Sequence, residues 1–163
     1  MLGGMHSTPG HSALRRGRTN IAGQVYLVTT CTHARERRFD TWDTGHAASL
    51  VIGEQSVWKP SRLLAWVLMP DHWHGLIELS TGDCLSRAMR RFKAKIARAV
   101  NQSEGRRGAL WAQSFHDRAL RRDEDARAAA RYLIANPIRA GIVDCPGDYP
   151  FWDAVWLAHE NPL

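Results

Sequence analysis

Two histidines stand two residues apart in V-L-M-P-D-H-W-H-G-L-I-E-L, Val67 to Leu79. In a strand, residues i and i+2 point to the same face, with Cα atoms about 6.5–7 Å apart. The imidazoles of His72 and His74 can therefore converge on one cation, while Trp73 points the other way, into the core with Ile77 and Leu79. On a helix the same spacing would splay the rings apart. Two imidazoles make an incomplete site, because a metal takes further ligands. Glu78, on the same face, and His116 in F-H-D-R are candidates to add to it. Taken alone, the pair is equally open to a plainer reading: hydrogen-bonded histidines near a strand end.

A second constellation lies in A-A-R-Y-L-I-A-N-P-I-R-A-G-I-V, Ala129 to Val143. Tyr132 and Asn136 are four apart and share a helix face. Asn136 directly precedes Pro137, which puts it at the helix end with its side chain free to reach outward. Leu133 and Ile134 with Ala126 and Ala130 supply the buried stripe and leave Tyr132 at its edge, where half-buried packing is the plainer reading. A phenolate can attack phosphorus and hold the product as a phosphotyrosine ester. A divalent ion on His72 and His74 would polarise the scissile phosphate and offset charge growing in the transition state. No P-loop pattern occurs, so ATP is not implied. Transesterification needs none, since the phosphodiester energy is kept in the tyrosyl link.

The elements that must position these groups follow from pattern. Gln24 to Thr30 is β-branched and aromatic, a strand. Thr44 to about Trp58 has a helical apolar pattern that ends before Lys59-Pro60. Arg62 to Met69 and His72 to Leu79 read as two strands of a hairpin across Pro70-Asp71. Leu85 to Val100 is an amphipathic helix with Leu85, Met89, Phe92, Ile96 and Val100 at three- and four-residue spacing, and N-Q-S-E-G-R-R-G after it reads as a loop. Leu110 to Leu120 is a short strand or irregular ribbon. Asp123 to Ala135 is an Ala-rich helix with an Asp N-cap, stopped by Pro137. The tail from Asp144 is rich in Pro and Trp and is expected to pack across the domain. This order predicts an α+β sandwich, helices against one antiparallel sheet. Residues 1–20 read as a flexible basic arm and 21–163 as a single domain with a C-terminal tail.

Composition bounds the rest. The 163 residues are 44% hydrophobic and 23% charged, ordinary for one soluble domain. Cys31, Cys84 and Cys145 are odd in number and lack C-x-x-C spacing, which argues for a reducing compartment and against a disulfide framework or a structural zinc. No apolar run approaches a membrane span, and the N-terminus shows no hydrophobic signal core. The expectation is a cytoplasmic protein without a membrane or nucleotide cofactor. The 22 Lys and Arg against 16 acidic residues, a net charge of +6, suit a polyanionic partner, nucleic acid first.

In order, M-P-D-H-W-H-G-L-I-E-L, L-S-R-A-M-R-R-F-K, L-W-A-Q-S-F-H-D-R-A-L-R and R-Y-L-I-A-N-P-I-R-A-G-I-V resemble the REP-associated tyrosine transposases. These are relatives of the single-strand insertion-sequence transposases with an HUH motif (His, bulky hydrophobe, His). The resemblance runs from about Leu14 to Trp156. Trp73 is large for the middle position but keeps the pattern. The resemblance implies an RRM-like or ferredoxin-like fold, with the histidine pair on a central strand and the tyrosine on a following helix. It implies cleavage and rejoining of single-stranded DNA near REP-like palindromic hairpins through a 5′-phosphotyrosine, by a nucleoid-associated monomer or homodimer. Carried over, His72, His74 and Asn136 are ligands of Mg²⁺ or Mn²⁺, and Tyr132 is the nucleophile.

The Leu85 helix carries Arg87, Arg91, Lys95 and Arg98 at four, four and three residues, a basic stripe opposite its core face. Phosphate contacts of this kind give affinity and salt dependence but no sequence reading. Arg15, Arg16 and Arg18 in the arm are further DNA-binding candidates. Trp111, Trp152 and Trp156 are candidates for base stacking. The competing reading is a non-catalytic single-stranded or hairpin nucleic-acid-binding module of the same fold. A zinc hydrolase is the poorer third, since no H-E-x-x-H occurs.

Overall fold

The computed structural model describes residues 21–121 and 124–159. The arm with Arg15, Arg16 and Arg18 lies outside the described residues. The elements in chain order are β1 (Val25–Cys31), α1 (Trp42–Gly53), α2 (Gln55–Trp58), β2 (Arg62–Met69), β3 (His72–Glu78), α3 (Leu85–Glu104), β4 (His116–Ala119), α4 (Ala126–Ile134), α5 (Asn136–Arg139) and β5 (Trp152–Ala154). The strands pair antiparallel in the order β4-β1-β3-β2-β5. Up to β4 this is the split βαβ, ferredoxin-like arrangement, with β3 in the centre of the sheet. The α+β expectation holds.

Alternation along β3 divides the sheet into two faces. Met69 pairs with His72, so Pro70 and Asp71 are the whole β2–β3 turn. Trp73 points to the face packed by α2 and α3: its ring stacks on Trp58 at 5.8 Å and tilts against Phe92 at 4.4 Å. Leu85, Met89, Phe92, Ile96 and Val100 of α3 are all buried, as their spacing requires. Gly75 lies beneath the Trp73 indole, where a Cβ would stand 2.0 Å from Cη2 and 2.2 Å from Cζ2. The glycine after the second histidine is thus the floor on which the tryptophan between them rests.

The opposite face carries His72 and His74. Over β2 and β3 it also carries Ala65, Val67, Met69 and Leu76, all buried, and α4 is the helix that packs on these two strands. The alanines of α4 allow that close approach.

Four boundaries differ from the sequence reading. The helix predicted across Thr44–Trp58 breaks at Glu54, whose backbone is extended (φ −70°, ψ 118°). The break swings α2 so that Trp58 donates Nε1–H to the Ile52 carbonyl at 2.8 Å and still reaches Trp73. α3 runs to Glu104 rather than Val100, through polar residues that need no buried face, and is capped by Gly105 at φ 63°. α4 starts at Ala126 with Asp125 as its N-cap, the carboxylate accepting from the Arg127 N–H. It ends at Ile134, and Asn136 and Pro137 open a separate short turn, α5. The tail packs across the domain as expected: β5 pairs with β2, and the Tyr149 hydroxyl donates to the Leu68 carbonyl at 2.6 Å.

Candidate metal site and nucleophile

The rings of His72 and His74 meet edge to face with centroids 4.7 Å apart. Each Nδ1 has a partner: Asp71 Oδ1 at 2.6 Å for His72 and Thr29 Oγ1 at 2.7 Å for His74. Thr29 reaches His74 because the two are paired across β1 and β3. Asp71 is itself held by Arg35, Nε to Oδ2 at 3.1 Å. Neither Nε2 has a hydrogen-bond partner among the described residues. A ring that donates its Nδ1–H carries its lone pair on Nε2, the arrangement that orients imidazoles toward a metal.

Burial first, then electrostatic repulsion involving His72, Arg139 and Arg35, pushes the pKa of His74 down to about 4. The ring is therefore neutral at neutral pH, the protonation state in which imidazole coordinates.

The two other candidate ligands of the sequence reading stand apart from the pair. Glu78 shares the histidines' face of β3 but pairs with Arg62 at 3.2 Å. His116 and His74 both pair with Thr29, from opposite sides. They are thus two strand spacings apart, about 10 Å at the usual separation. Among the described residues no group of three or more His, Cys, Asp or Glu side chains is placed to hold a metal. The third ligand in the expected set, Asn136, belongs to none of those types.

Tyr132 is 64% exposed on α4, while Ala130 and Leu133 face inward. Asn136 is not free at the helix end as the sequence suggested: its Nδ2 donates to the Leu133 carbonyl at 2.7 Å, and its Oδ1 accepts from Arg139 at 2.9 Å. The same Arg139 nitrogen donates to the Tyr132 carbonyl at 2.7 Å, and the guanidinium lies 3.9 Å from the Tyr132 ring centroid. Sequence reasoning missed Arg139, although a residue seven after Tyr132 returns to the same helical side. Asp71, directly before His72, was also legible as a partner. Thr29 was not, because only strand pairing brings it to His74.

The basic stripe divides. Arg87, Lys95 and Arg98 are exposed; Arg87 donates to the Gly82 carbonyl at 3.2 Å and Lys95 to Ser56 Oγ at 3.3 Å. Arg91 turns inward instead. It bonds Asp83, whose side chain is fully buried, at 2.7 and 3.2 Å, and the carbonyls of Val57 and Trp58 at 3.3 and 3.2 Å. Burial would raise the Asp83 pKa, but hydrogen bonds from Arg91, Ser61 and the Cys84 N–H bring it below the usual carboxylate range. Arg91 therefore ties α3 to α2. The stripe also belongs to the Trp73 side of the sheet, away from the histidines. Of the tryptophans considered for stacking, Trp111 is buried against Phe39 and Phe92, and Trp152 donates to the Pro146 carbonyl at 2.8 Å. Trp156 is half-buried with Arg127 over its ring at 6.0 Å.

Comparison with known proteins bears on the family and the fold. The chain is 30% identical over 94 residues to the REP-associated tyrosine transposase of Escherichia coli (strain K12), a match covering 57% of this chain and 54% of that one. The chain thus spans about half the length of that curated relative. Its fold matches a solved REP-associated tyrosine transposase bound to a REP hairpin, with a TM-score of 0.63 and 27% identity, over 83% of this chain and 79% of that one. The family described as "Transposase IS200 like" matches residues 21–134, the stretch that runs from β1 through the histidine pair to the tyrosine helix. The chain belongs to the IS200-like transposases.

Proposed function

We propose that this chain is a metal-dependent tyrosine transesterase that cleaves and rejoins single-stranded DNA beside REP-type palindromic hairpins. The observation that carries the reading is the histidine pair, its two Nδ1 atoms engaged by Asp71 and Thr29, on the strand against which the tyrosine helix packs. The hairpin as substrate rests on likeness to the relative solved with one.

The donor set suits a divalent ion, Mg²⁺ or Mn²⁺: the imidazole nitrogens of His72 and His74, with the amide oxygen of Asn136 one turn after Tyr132. When bound, such an ion polarises the scissile phosphate and offsets the negative charge of the transition state. Tyr132 loses its phenolic proton and its oxygen attacks phosphorus. The bond from phosphorus to the 3′ oxygen breaks as the tyrosyl bond forms, and the leaving oxygen takes up a proton as a free 3′-OH. A 3′-OH attacking the phosphotyrosine reverses these steps and rejoins the strand. Exposure of Tyr132 leaves its ring open to a strand lying over α4. Arg15, Arg16 and Arg18 would extend the phosphate contacts from the arm.

The test is direct. Labelled single-stranded hairpins, including the DNA flanking the protein's own gene, are incubated with the protein with and without Mn²⁺ and run on a denaturing gel. A metal-dependent band of DNA-linked protein is expected, and His72→Ala with His74→Ala should remove it. Cleavage that persists in EDTA takes the metal out of the mechanism. Tight binding of the flanking hairpin with no covalent band establishes the binding-module reading instead.

The exposed part of the α3 stripe is tested separately, sparing Arg91. Lys95→Glu with Arg98→Glu should weaken hairpin binding. For every phosphate that is no longer neutralised, the slope of log K against log salt should flatten by about 0.7. An unchanged slope makes the stripe an ordinary solvated face.

A further inference from the structure

We propose that Arg139 is a positioning residue that couples DNA binding to completion of the metal site, a role that rests on the reading of Tyr132 and Asn136 given above. One nitrogen, Nη2, makes both of its hydrogen bonds, to the Tyr132 carbonyl at 2.7 Å and to Asn136 Oδ1 at 2.9 Å. The guanidinium lies 3.9 Å from the Tyr132 ring centroid. A guanidinium has five N–H donors in a planar fork, and here Nε and Nη1 make no hydrogen bond among the described residues. Arg139 is exposed. A phosphate-binding fork therefore stands in solvent against the face of the proposed nucleophile.

The hydrogen bond to Asn136 has a consequence for the metal. Asn136 has a single side-chain oxygen, and Arg139 holds it while Leu133 fixes the amide nitrogen. In this arrangement Asn136, the proposed third ligand, is not free for the histidine pair. An ionised phosphodiester oxygen is a stronger acceptor for guanidinium than a neutral amide oxygen, and it can engage two donors of the fork at once. Phosphate arriving beside Tyr132 draws Nη2 from Asn136 and releases Oδ1 toward the histidines. The same interaction lodges the phosphate next to the tyrosine. Arg139 thus weakens metal binding in the free protein and strengthens it once the strand is in place.

A plain helix-capping arginine would also hold the Tyr132 carbonyl, so the test must read something that capping does not change. Mn²⁺ affinity of the full chain at neutral pH, without DNA, is measured for Arg139→Ala, Asn136→Ala and the double variant, alongside the rate of covalent product on a hairpin. Arg139→Ala should bind Mn²⁺ about 10-fold more tightly than the parent, in the range of outer-shell effects on metal affinity. That gain should vanish in the double variant, and the covalent rate at saturating DNA should fall. Arg139→Lys keeps the charge but not the fork and should show the same changes at smaller size; it carries the test if the alanine variant unfolds. Unchanged or weaker Mn²⁺ binding in folded Arg139→Ala or Arg139→Lys overturns the coupling and leaves a cap. Should His72→Ala and His74→Ala leave Mn²⁺ binding of the parent unchanged, the metal-site reading falls, and this proposal with it.

Discussion

Tyr132→Phe leaves hairpin affinity within about twofold, the usual reach of an exposed substitution, and eliminates the covalent DNA–protein product. The two halves of this expectation have separate causes. Tyr132 is 64% exposed and its hydroxyl makes no hydrogen bond among the described residues, so the fold does not depend on that oxygen. Phenylalanine keeps the ring that stacks with Arg139 at 3.9 Å. The attacking atom, in contrast, is removed outright, and no weaker nucleophile is left in its place. Neither of the other tyrosines can substitute. Tyr26 is buried on the Trp73 side of β1, across the sheet from the histidines. Tyr149 is buried with its hydroxyl on the Leu68 carbonyl, and burial, with Asp40 adding to it, pushes its pKa up to about 12. A covalent product surviving in Tyr132→Phe would assign the attack to another residue and withdraw Tyr132 as nucleophile.

The largest effect on stability is expected at Gly75→Ala, which should cost about 3 kcal/mol or more, the upper range for overpacking a core. The new methyl would stand 2.0 Å from Trp73 Cη2, and Trp73 is fully buried between Trp58 and Phe92. The indole has nowhere to retreat, so the strand must move. That movement displaces His72 and His74, which flank Trp73, so Mn²⁺ binding should weaken in whatever fraction stays folded. Urea unfolding of Gly75→Ala in the parent and in a Trp73→Phe background separates the clash from any general dislike of a side chain at this position. The cost should be smaller beside phenylalanine, which lacks the far edge of the indole. Equal costs in the two backgrounds would show that Trp73 is not the obstacle.

Much of this was legible from local pattern. Strand alternation is a property of the chain itself, so His72 and His74 share a face whatever lies beside them, and the spacing of Met89, Phe92 and Ile96 made α3 unmistakable. What escaped was decided by neighbours distant in sequence. Thr29 meets His74 only because β1 pairs with β3 in one register. Arg91 has the same helical spacing as Arg87 and Lys95, and periodicity records the side of a helix, not whether a guanidinium bends back to a buried carboxylate at Asp83. Pro137 reads as a stop, which would leave Asn136 free. The chain instead begins a new turn there, which returns Arg139 to the amide oxygen.

The alternation along β3 also governs how this protein would decay. On the α3-facing side of that strand Trp73 and Ile77 are fully buried, with Gly75 beneath the indole, whereas His72 and His74 on the other side are only half-buried and Tyr132 stands on the surface. Substitutions at the three positions proposed for the chemistry leave the Trp58–Trp73–Phe92 stack untouched. On the proposed function, a lineage released from selection for strand transfer can thus lose its chemistry in a single step and keep its architecture. Its descendants would persist first as silent folded scaffolds, with Trp73 and Gly75 retained long after the histidines had drifted.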